Sequence, residues 1–198
     1  MPKLYYQGHS SYRLTSDDGK VVFIDPYVGD GYELPADIIL VTHGHHDHNQ
    51  IDKCTQKPGC RVITHEDALI GGVYQTFDVS GVTIEAVMAG NLLHNPKKCV
   101  GYIITVDGVK LYASGDTSKT EQMVEFAARA IDYAVLCADG KFNMGLREAA
   151  ECARLIGAKH NIVVHTKPGA LFDRSKAEKW DAPNKLIVEP GQEVVLNR

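Results

Sequence analysis

Short apolar runs separated by turn residues recur along the chain, and this pattern predicts a strand-rich fold. Glycine-containing turns between paired runs predict hairpins around residues 17–19, 80–81 and 107–108. The strands are expected at residues 3–7, 11–15, 20–24, 37–42, 61–64, 73–79, 82–88, 99–106, 109–114, 132–137 and 161–164, with two short ones near the end.

Helical patterns are fewer and lie between the groups of strands. They are expected at residues 49–56, 65–69, 120–130 and 146–156, with Gly157 ending the last one. A helix over 49–56 places the preceding turn at its N-terminus, where the helix dipole favours the carboxylate of Asp47. The polar segments expected to form loops around a pocket are residues 28–35, 89–98 and 138–145.

Composition, net charge and cysteine spacing indicate the number of domains, the kind of partner and the location of the protein. A chain of 198 residues with 44% hydrophobic and 23% charged residues is typical of a single soluble domain, here 1–198. The net charge of −4 and the lack of basic runs argue against nucleic acids and membrane surfaces as partners. The start lacks the apolar core of a signal peptide, and the five cysteines form no Cys-x-x-Cys pair. We therefore expect a cytoplasmic protein that acts on a small molecule.

The candidate chemistry is concentrated in one stretch, His43-Gly44-His45-His46-Asp47-His48, which follows the apolar run 37–42. The pattern is His-x-His-x-Asp-His, and imidazole and carboxylate groups are the donors that hold zinc and neighbouring ions. Four such donors on one tight turn at a strand end can converge on a point outside the sheet. The motif therefore predicts a metal site rather than a solvated polar turn.

With these residues the chain resembles the metallo-β-lactamase superfamily of metal-dependent hydrolases, and within it the small branch of ascorbate-6-phosphate lactonase-like proteins. The resemblance implies an α+β fold, the four-layer αβ/βα sandwich, with two mixed β-sheets face to face, helices outside and metals at one sheet edge. Besides the histidine motif, it rests on Gly8-His9-Ser10-Ser11, Ile24-Asp25-Pro26, Gly101-Tyr102-Ile103, Ser114-Gly115-Asp116-Thr117 and His165.

The resemblance also implies a site for two metal ions. One ion is expected on His43, His45 and His94, the second on Asp47, His48 and His165, with Asp116 bridging them. The chain departs from the family pattern at the middle histidine ligand, which generally stands near the position of Asn91. His94 is favoured in its place because the first ion otherwise has too few donors. The alternative is a loop histidine, with water or Asn91 completing the shell.

Three further residues are candidates for contacts with substrate or with the ligands. His9 is implied to lie beside the metals without being a ligand, since the first shell is filled without it. A turn histidine bonded to the backbone is the alternative. Lys141 and Asn143 are candidates for binding an anionic or carbonyl group, against a solvated turn. Asp25 either orients a metal-binding histidine or serves turn chemistry, and His65 is expected at the surface or as a cap.

The implied activity is hydrolysis of a small-molecule lactone, ester or phosphoester. Two divalent ions lower the pKa of bound water from about 15.7 toward roughly 7, and the resulting hydroxide attacks the substrate. Asp47 is the candidate catalytic carboxylate for proton transfer. Zinc is favoured, with Mn²⁺, Fe²⁺ and Ni²⁺ left open. The alternatives are a phosphodiesterase or phospholipase D-like activity and a non-catalytic metal-binding protein.

Overall fold

Two mixed β-sheets packed face to face make up the centre of the molecule. The computed structural model describes all residues from Met1 to Arg198. Its strands are β1 (Lys3–Gly8), β2 (Ser11–Thr15), β3 (Val21–Ile24), β4 (Ala36–Leu40), β5 (Gln56–Ile63), β6 (Leu69–Ile70), β7 (Val73–Tyr74), β8 (Thr76–Val79), β9 (Val82–Met88), β10 (Val100–Val106), β11 (Val109–Ala113), β12 (Tyr133–Cys137), β13 (His160–Val164), β14 (Lys185–Leu186) and β15 (Glu193–Val195). Its α-helices are α1 (His65–Ala68), α2 (Leu146–Ile156) and α3 (Arg174–Lys179), and 3₁₀ helices span Ile51–Lys53 and Glu121–Arg129.

Each sheet combines an antiparallel half with a parallel half. The first sheet has the order β15-β1-β2-β3-β4-β5, in which β3, β4 and β5 are parallel. The second has the order β14-β13-β12-β11-β10-β9-β8, in which β11 to β14 are parallel. Because parallel strands end at the same edge of a sheet, the residues that follow them are brought together.

The main core lies between the sheets and takes inward-facing residues from both. Ile38 and Leu40 of β4 and Ile104 of β10 belong to this cluster and are fully buried. Ile39 points the other way, into a smaller cluster on the outer face of the first sheet. Since β4 buries both of its faces from Ile38 to Leu40, this part of the strand is continuously apolar and does not alternate. Tyr102 crosses the core, and its hydroxyl donates to the carbonyl oxygen of Val41 at 3.1 Å.

The outer faces of the sheets are covered unequally. Helix α2 and the 3₁₀ helix Glu121–Arg129 pack on the second sheet around a cluster that includes Trp180. The first sheet is covered more thinly, by Tyr32 and by Ile51 of the short 3₁₀ helix. The expected four-layer αβ/βα sandwich is confirmed, with a thin outer layer on the first sheet. None of the helices has the length and apolar character needed to cross a membrane.

The helix predicted over 49–56 is wrong. Only Ile51–Lys53 forms a 3₁₀ turn, and the chain is already extended at Gln56, which pairs with Ala36 of β4. The sheet pairing outweighs the weak local helical pattern, and β5 starts five residues before the predicted strand. Asp47 therefore does not lie at the N-terminus of an α-helix.

The segment 120–130 is helical but is a 3₁₀ helix rather than the expected amphipathic α-helix. Its buried residues Met123 and Phe126 are three positions apart, and side chains at this spacing line up in a 3₁₀ helix. Phe126 packs edge-to-face on Tyr112 of β11, with ring centroids 5.0 Å apart. The predicted strand 73–79 is also divided, since β7 pairs with β6 while β8 joins the second sheet. Helix α2 has its predicted bounds.

Gly115 provides a test of how tightly the two sheets meet at this edge. It has φ of +60°, and a Cβ at this position would lie 2.9 Å from Cβ of Thr42 and 3.0 Å from the Val100 carbonyl oxygen. We expect Gly115→Ala to lower the free energy of unfolding by about 2–4 kcal/mol, from overpacking together with backbone strain. Chemical denaturation monitored by circular dichroism measures this change.

Gly19→Ala is the matched control. Gly19 also has a positive φ, of +82°, but a Cβ there would meet nothing within 4 Å. It should therefore show the backbone strain alone, about 1 kcal/mol. Equal destabilisation of the two variants would contradict close packing at Gly115.

Candidate metal centre

Polar residues within three positions of the ends of parallel strands meet at one edge of the two sheets. In the first sheet, Asp25 follows β3 and His43 lies shortly after β4. In the second sheet, Asp116, Asp139 and His165 follow β11, β12 and β13. All five are buried, although an edge of this kind is usually solvated. The fold thus collects ionisable groups that are far apart in the sequence.

The first group of donors consists of His43, His45 and His94, whose ligand atoms all lie within 4.8 Å of one another. Nε2 of His43 is 3.1 Å from Nδ1 of His45. His43 and His94 are buried, whereas His45 is exposed. The group therefore combines residues of the motif turn with the loop after β9 and is open on one side.

The second group consists of His9, Asp47, His48 and His165, again with all ligand atoms within 4.8 Å. Nε2 of His9 is 3.1 Å from Oδ2 of Asp47. The rings of His9 and His165 are in contact, with centroids 3.8 Å apart. The three histidines are buried, and Asp47 is half-buried. His9 is thus part of the cluster and is not only a turn residue.

Asp116 lies between the two groups. Its Oδ2 is 3.3 Å from Nε2 of His94 and 3.6 Å from Nε2 of His165, while Oδ1 is 3.4 Å from Nε2 of His48. The side chain is almost fully buried. One carboxylate therefore contacts histidines of both groups, which is the position that the resemblance implies for a bridging ligand.

Asp25 fixes the orientation of two histidines at once. Its Oδ2 accepts from Nδ1 of His48 at 2.8 Å and from the hydroxyl of Thr42 at 2.7 Å, and Oδ1 accepts from the Thr42 backbone N–H. Since the hydroxyl proton of Thr42 is used, Oγ1 accepts from Nδ1 of His43 at 3.1 Å. With Nδ1 protonated, each neutral ring carries its lone pair on Nε2, facing the centre.

Asn91 plays the same part for His94, and Asp139 lies beside His165. Oδ1 of Asn91 accepts from Nδ1 of His94 at 3.1 Å and from two backbone N–H groups of the same loop. Oδ2 of Asp139 lies 3.5 Å from Nδ1 of His165. Asn91 therefore holds His94 in place and does not itself face the metal centre. The position of Asp139 beside His165 was not predicted from the sequence, where its one local signal is its place two residues after the buried strand β12.

The structure separates Lys141 and Asn143 from the metal donors. Lys141 is exposed and its Nζ lies over the ring of Phe142, 5.0 Å from the centroid. Asn143 donates to Oδ2 of Asp139 at 2.7 Å and so supports the residue that faces His165. Neither residue lines the cavity beside the donors.

That cavity measures about 630 Å³ and opens onto the first donor group only. The residues lining it are His43, Gly44, His45, His65, Glu66, Leu69, Leu93, His94, Asn95, Lys97, Lys98 and Cys99. His65, the first residue of α1 after its capping residue Thr64, thus also faces the cavity. The 89–98 loop contributes as expected, whereas the segments 28–35 and 138–145 do not.

Burial and neighbouring charges set the protonation of the donors. Burial lowers the pKa of His43 to about 2 and also lowers the pKa of His165, so both rings are neutral and can bind a cation. Burial opposes the charged forms of His48 and Asp116 as well. Their mutual attraction nevertheless raises the pKa of His48 and lowers that of Asp116, and Asp25 adds to the effect on His48. Without a cation, a proton on His48 balances this carboxylate.

A protein-family model described as the beta-lactamase superfamily domain matches residues 3–165. The chain belongs to this superfamily. The match includes every residue of both donor groups. The family membership expected from the histidine motif is therefore confirmed.

Full-length relatives of this superfamily member carry the description "UPF0173 metal-dependent hydrolase". The protein of Pyrococcus furiosus is 30% identical, and the alignment covers 99% of this chain and 100% of that one. A crystal structure of a protein from Parabacteroides distasonis is 28% identical and covers 94% of this chain and 92% of its own, with a TM-score of 0.78. Igni18, a metallo hydrolase of Ignicoccus hospitalis, has a TM-score of 0.76 at 23% identity, with coverages of 98% and 97%, and supports the fold.

Asp25→Asn tests the orienting role of the carboxylate. The substitution replaces a carboxylate oxygen, which accepts from His48 and Thr42, with an amide N–H₂ group, which cannot accept. His48 and Thr42 therefore lose their fixed orientation. We expect the affinity for divalent metal to fall by about 10–100-fold. Competition with a chromophoric chelator measures it, and Asp30→Asn, at an exposed loop aspartate, is the control. Unchanged metal affinity in Asp25→Asn would rule out this role.

The raised pKa of His48 predicts a pH dependence of metal binding. A cation bound to His48 has to displace its proton, so affinity for the second group falls as pH is lowered. We expect acidification from about pH 8 to pH 5 to weaken metal binding at the second group. Metal content after equilibration at each pH checks this, and an unchanged metal content across this range would contradict it.

Proposed function

We propose that this protein is a metal-dependent hydrolase that uses two divalent ions, zinc being favoured, to cleave an ester, lactone or phosphoester bond of a small molecule. The observation that carries the proposal is the convergence of three buried histidines, His48, His94 and His165, on one carboxylate, Asp116, beside a cavity. The activity in the names of full-length relatives supports the same reaction class.

The donor atoms fit metal ions by their spacing and by their lack of other partners. Two ligands bound to one zinc ion at about 2.1 Å each are separated by about 3.0–3.4 Å. The pairs His43–His45, His9–Asp47 and His94–Asp116 are 3.1, 3.1 and 3.3 Å apart. Nε2 of His48 and Oδ1 of Asp116 are buried without a hydrogen-bond partner. Buried polar atoms without partners are costly, and a cation between them removes that cost.

When bound, the two ions supply an activated water molecule and an electrophile for the substrate oxygen. His43, His45 and His94 would hold the ion next to the cavity, and Asp47, His48 and His165 the other, with Asp116 shared. Asp47 is half-buried, and its contact with His9 holds the pKa of its carboxyl well below the usual range, so it is ionised and can hold a cation. It is also the candidate group for proton transfer during hydrolysis.

Lysines along the cavity favour an anionic substrate. Lys97 and Lys98 both line it, and neither forms an ion pair within the protein. Glu66 is the only acidic residue in the lining. A phosphoester, or a lactone or ester that carries an acidic group, would be attracted to this entrance. The lysines thus support phosphoester cleavage as a second candidate beside lactone hydrolysis.

His45→Ala tests the proposal at the exposed donor of the first group. We expect metal-dependent turnover to fall by at least about 100-fold while the fold is retained, because His45 holds the cavity-side ion and has no role in the core. A panel of lactones, carboxylic esters and phosphoesters, assayed with Zn²⁺ or Mn²⁺, measures turnover. His46→Ala is the matched control, since His46 is exposed in the same motif and belongs to neither donor group.

Metal content, measured together with turnover, shows which part of the proposed function is wrong if the experiment fails. About two ions per chain are expected in the wild type, with one lost in His94→Ala. Unchanged turnover in His45→Ala would refute the hydrolytic role of this site. Two bound ions without turnover on any compound of the panel would point to the non-catalytic metal-binding protein. One ion or none in the folded wild type would argue against a binuclear centre.

A further inference from the structure

His9 is positioned like the histidines of the ligand set, although it lies far from the motif in sequence. Its side chain is buried, with a relative exposure of 2%, and its Nε2 faces Oδ2 of Asp47 at 3.1 Å. Its ring packs against that of His165 at 3.8 Å between centroids. Its donor atom lies within 4.8 Å of those of Asp47, His48 and His165.

The hydrogen bond on the other side of the ring fixes where the lone pair lies. Nδ1 of His9 is 3.2 Å from the backbone carbonyl oxygen of Ala170. A carbonyl oxygen only accepts, so Nδ1 carries the proton and donates it. In the neutral ring Nε2 is then unprotonated and points at the carboxylate oxygen of Asp47. Two acceptor atoms at 3.1 Å repel each other unless a proton or a metal cation lies between them.

The backbone holds His9 firmly in this position. The residue has φ of +56°. This left-handed backbone conformation is unfavourable for residues other than glycine. Its N–H donates to the Leu171 carbonyl at 2.6 Å, and its carbonyl accepts from the N–H of His165 at 2.8 Å. The hydroxyl of Tyr6 donates to the same carbonyl at 2.8 Å. Backbone conformations of this kind persist only where surrounding contacts enforce them, and they are concentrated at functional sites.

The two donor groups differ in their access to the cavity. It is lined by all three histidines of the first group and by none of the four residues of the second. Zinc sites filled by protein ligands are typically structural, whereas catalytic sites keep an open position for water or substrate. An additional ligand in the second group would close the shell of the ion that is remote from the cavity.

We infer that His9 is itself a metal ligand, through Nε2, for the ion held by Asp47, His48 and His165. The inference depends on the proposed function, because it requires that ion. The second group then supplies three imidazoles and Asp47, together with the shared Asp116. The first group would keep a free position facing the cavity, where the substrate would bind.

Paramagnetic NMR of the Co²⁺-loaded protein counts the histidine ligands directly. Each imidazole bound to Co²⁺ through one nitrogen shows its remaining exchangeable N–H proton far downfield. We expect six such signals from the wild type, one for each histidine of the two groups. Five signals would overturn the inference while leaving the two-ion site intact. Failure of the wild type to bind two Co²⁺ ions would instead refute the proposed function.

His9→Gln distinguishes a ligand from a residue that only donates a hydrogen bond to Asp47. The glutamine amide can still donate to the carboxylate but cannot replace the imidazole lone pair. We expect the count of shifted signals to fall to five, or to three if the second ion is lost, and the affinity for that ion to fall at least about 10-fold in chelator competition. Wild-type affinity and an unchanged count in His9→Gln would contradict direct ligation.

His46→Gln is the matched control, because its ring is exposed and hydrogen-bonded to the side chain of Gln50, away from the donors. It should keep the wild-type count and affinity. Circular dichroism of each variant establishes that the fold is retained. Since the wild-type count alone decides between six and five ligands, the test does not depend on the variants folding.

Discussion

The candidate site depends on one constraint, namely that each imidazole carries a single proton and has to place it away from the centre. A buried acceptor at Nδ1 meets this constraint and leaves the Nε2 lone pair free for a cation. Asp25 does so for His48 directly and for His43 through the hydroxyl of Thr42. Without these acceptors the rings could rotate or change tautomer, and the donors would no longer converge.

The arrangement of the sheets explains why acceptors and donors are available at one place. Each sheet has a parallel half whose strand ends point to the same edge, and the two edges lie together across the core. Loops after these strands therefore supply both the histidines and the acidic residues that orient them. The same edge is asymmetric, because the 89–98 loop and α1 leave a cavity beside His45 while the turn at His9 closes the opposite side.

Much of the fold could be predicted from the sequence, because its strands and α2 are long enough to show a clear local pattern. Helix α2 has its predicted bounds, and the hairpin turns at 17–19 and 107–108 join the expected strands. The errors lie in short segments with weak patterns. At 49–56 strand pairing with β4 won over the local helical preference, and at 120–130 packing of Met123 and Phe126 selected a 3₁₀ helix.

By itself the sequence determined the strand-rich fold, the family and the presence of a metal-binding motif, because adjacent donors on one turn form a local signal. Only the tertiary structure decided which distant residues serve those donors. Asp139 faces His165, His9 joins the second group, and Lys141 stays outside the cavity. These relations depend on the pairing of distant strands, and the spacing of residues along a chain does not specify that pairing.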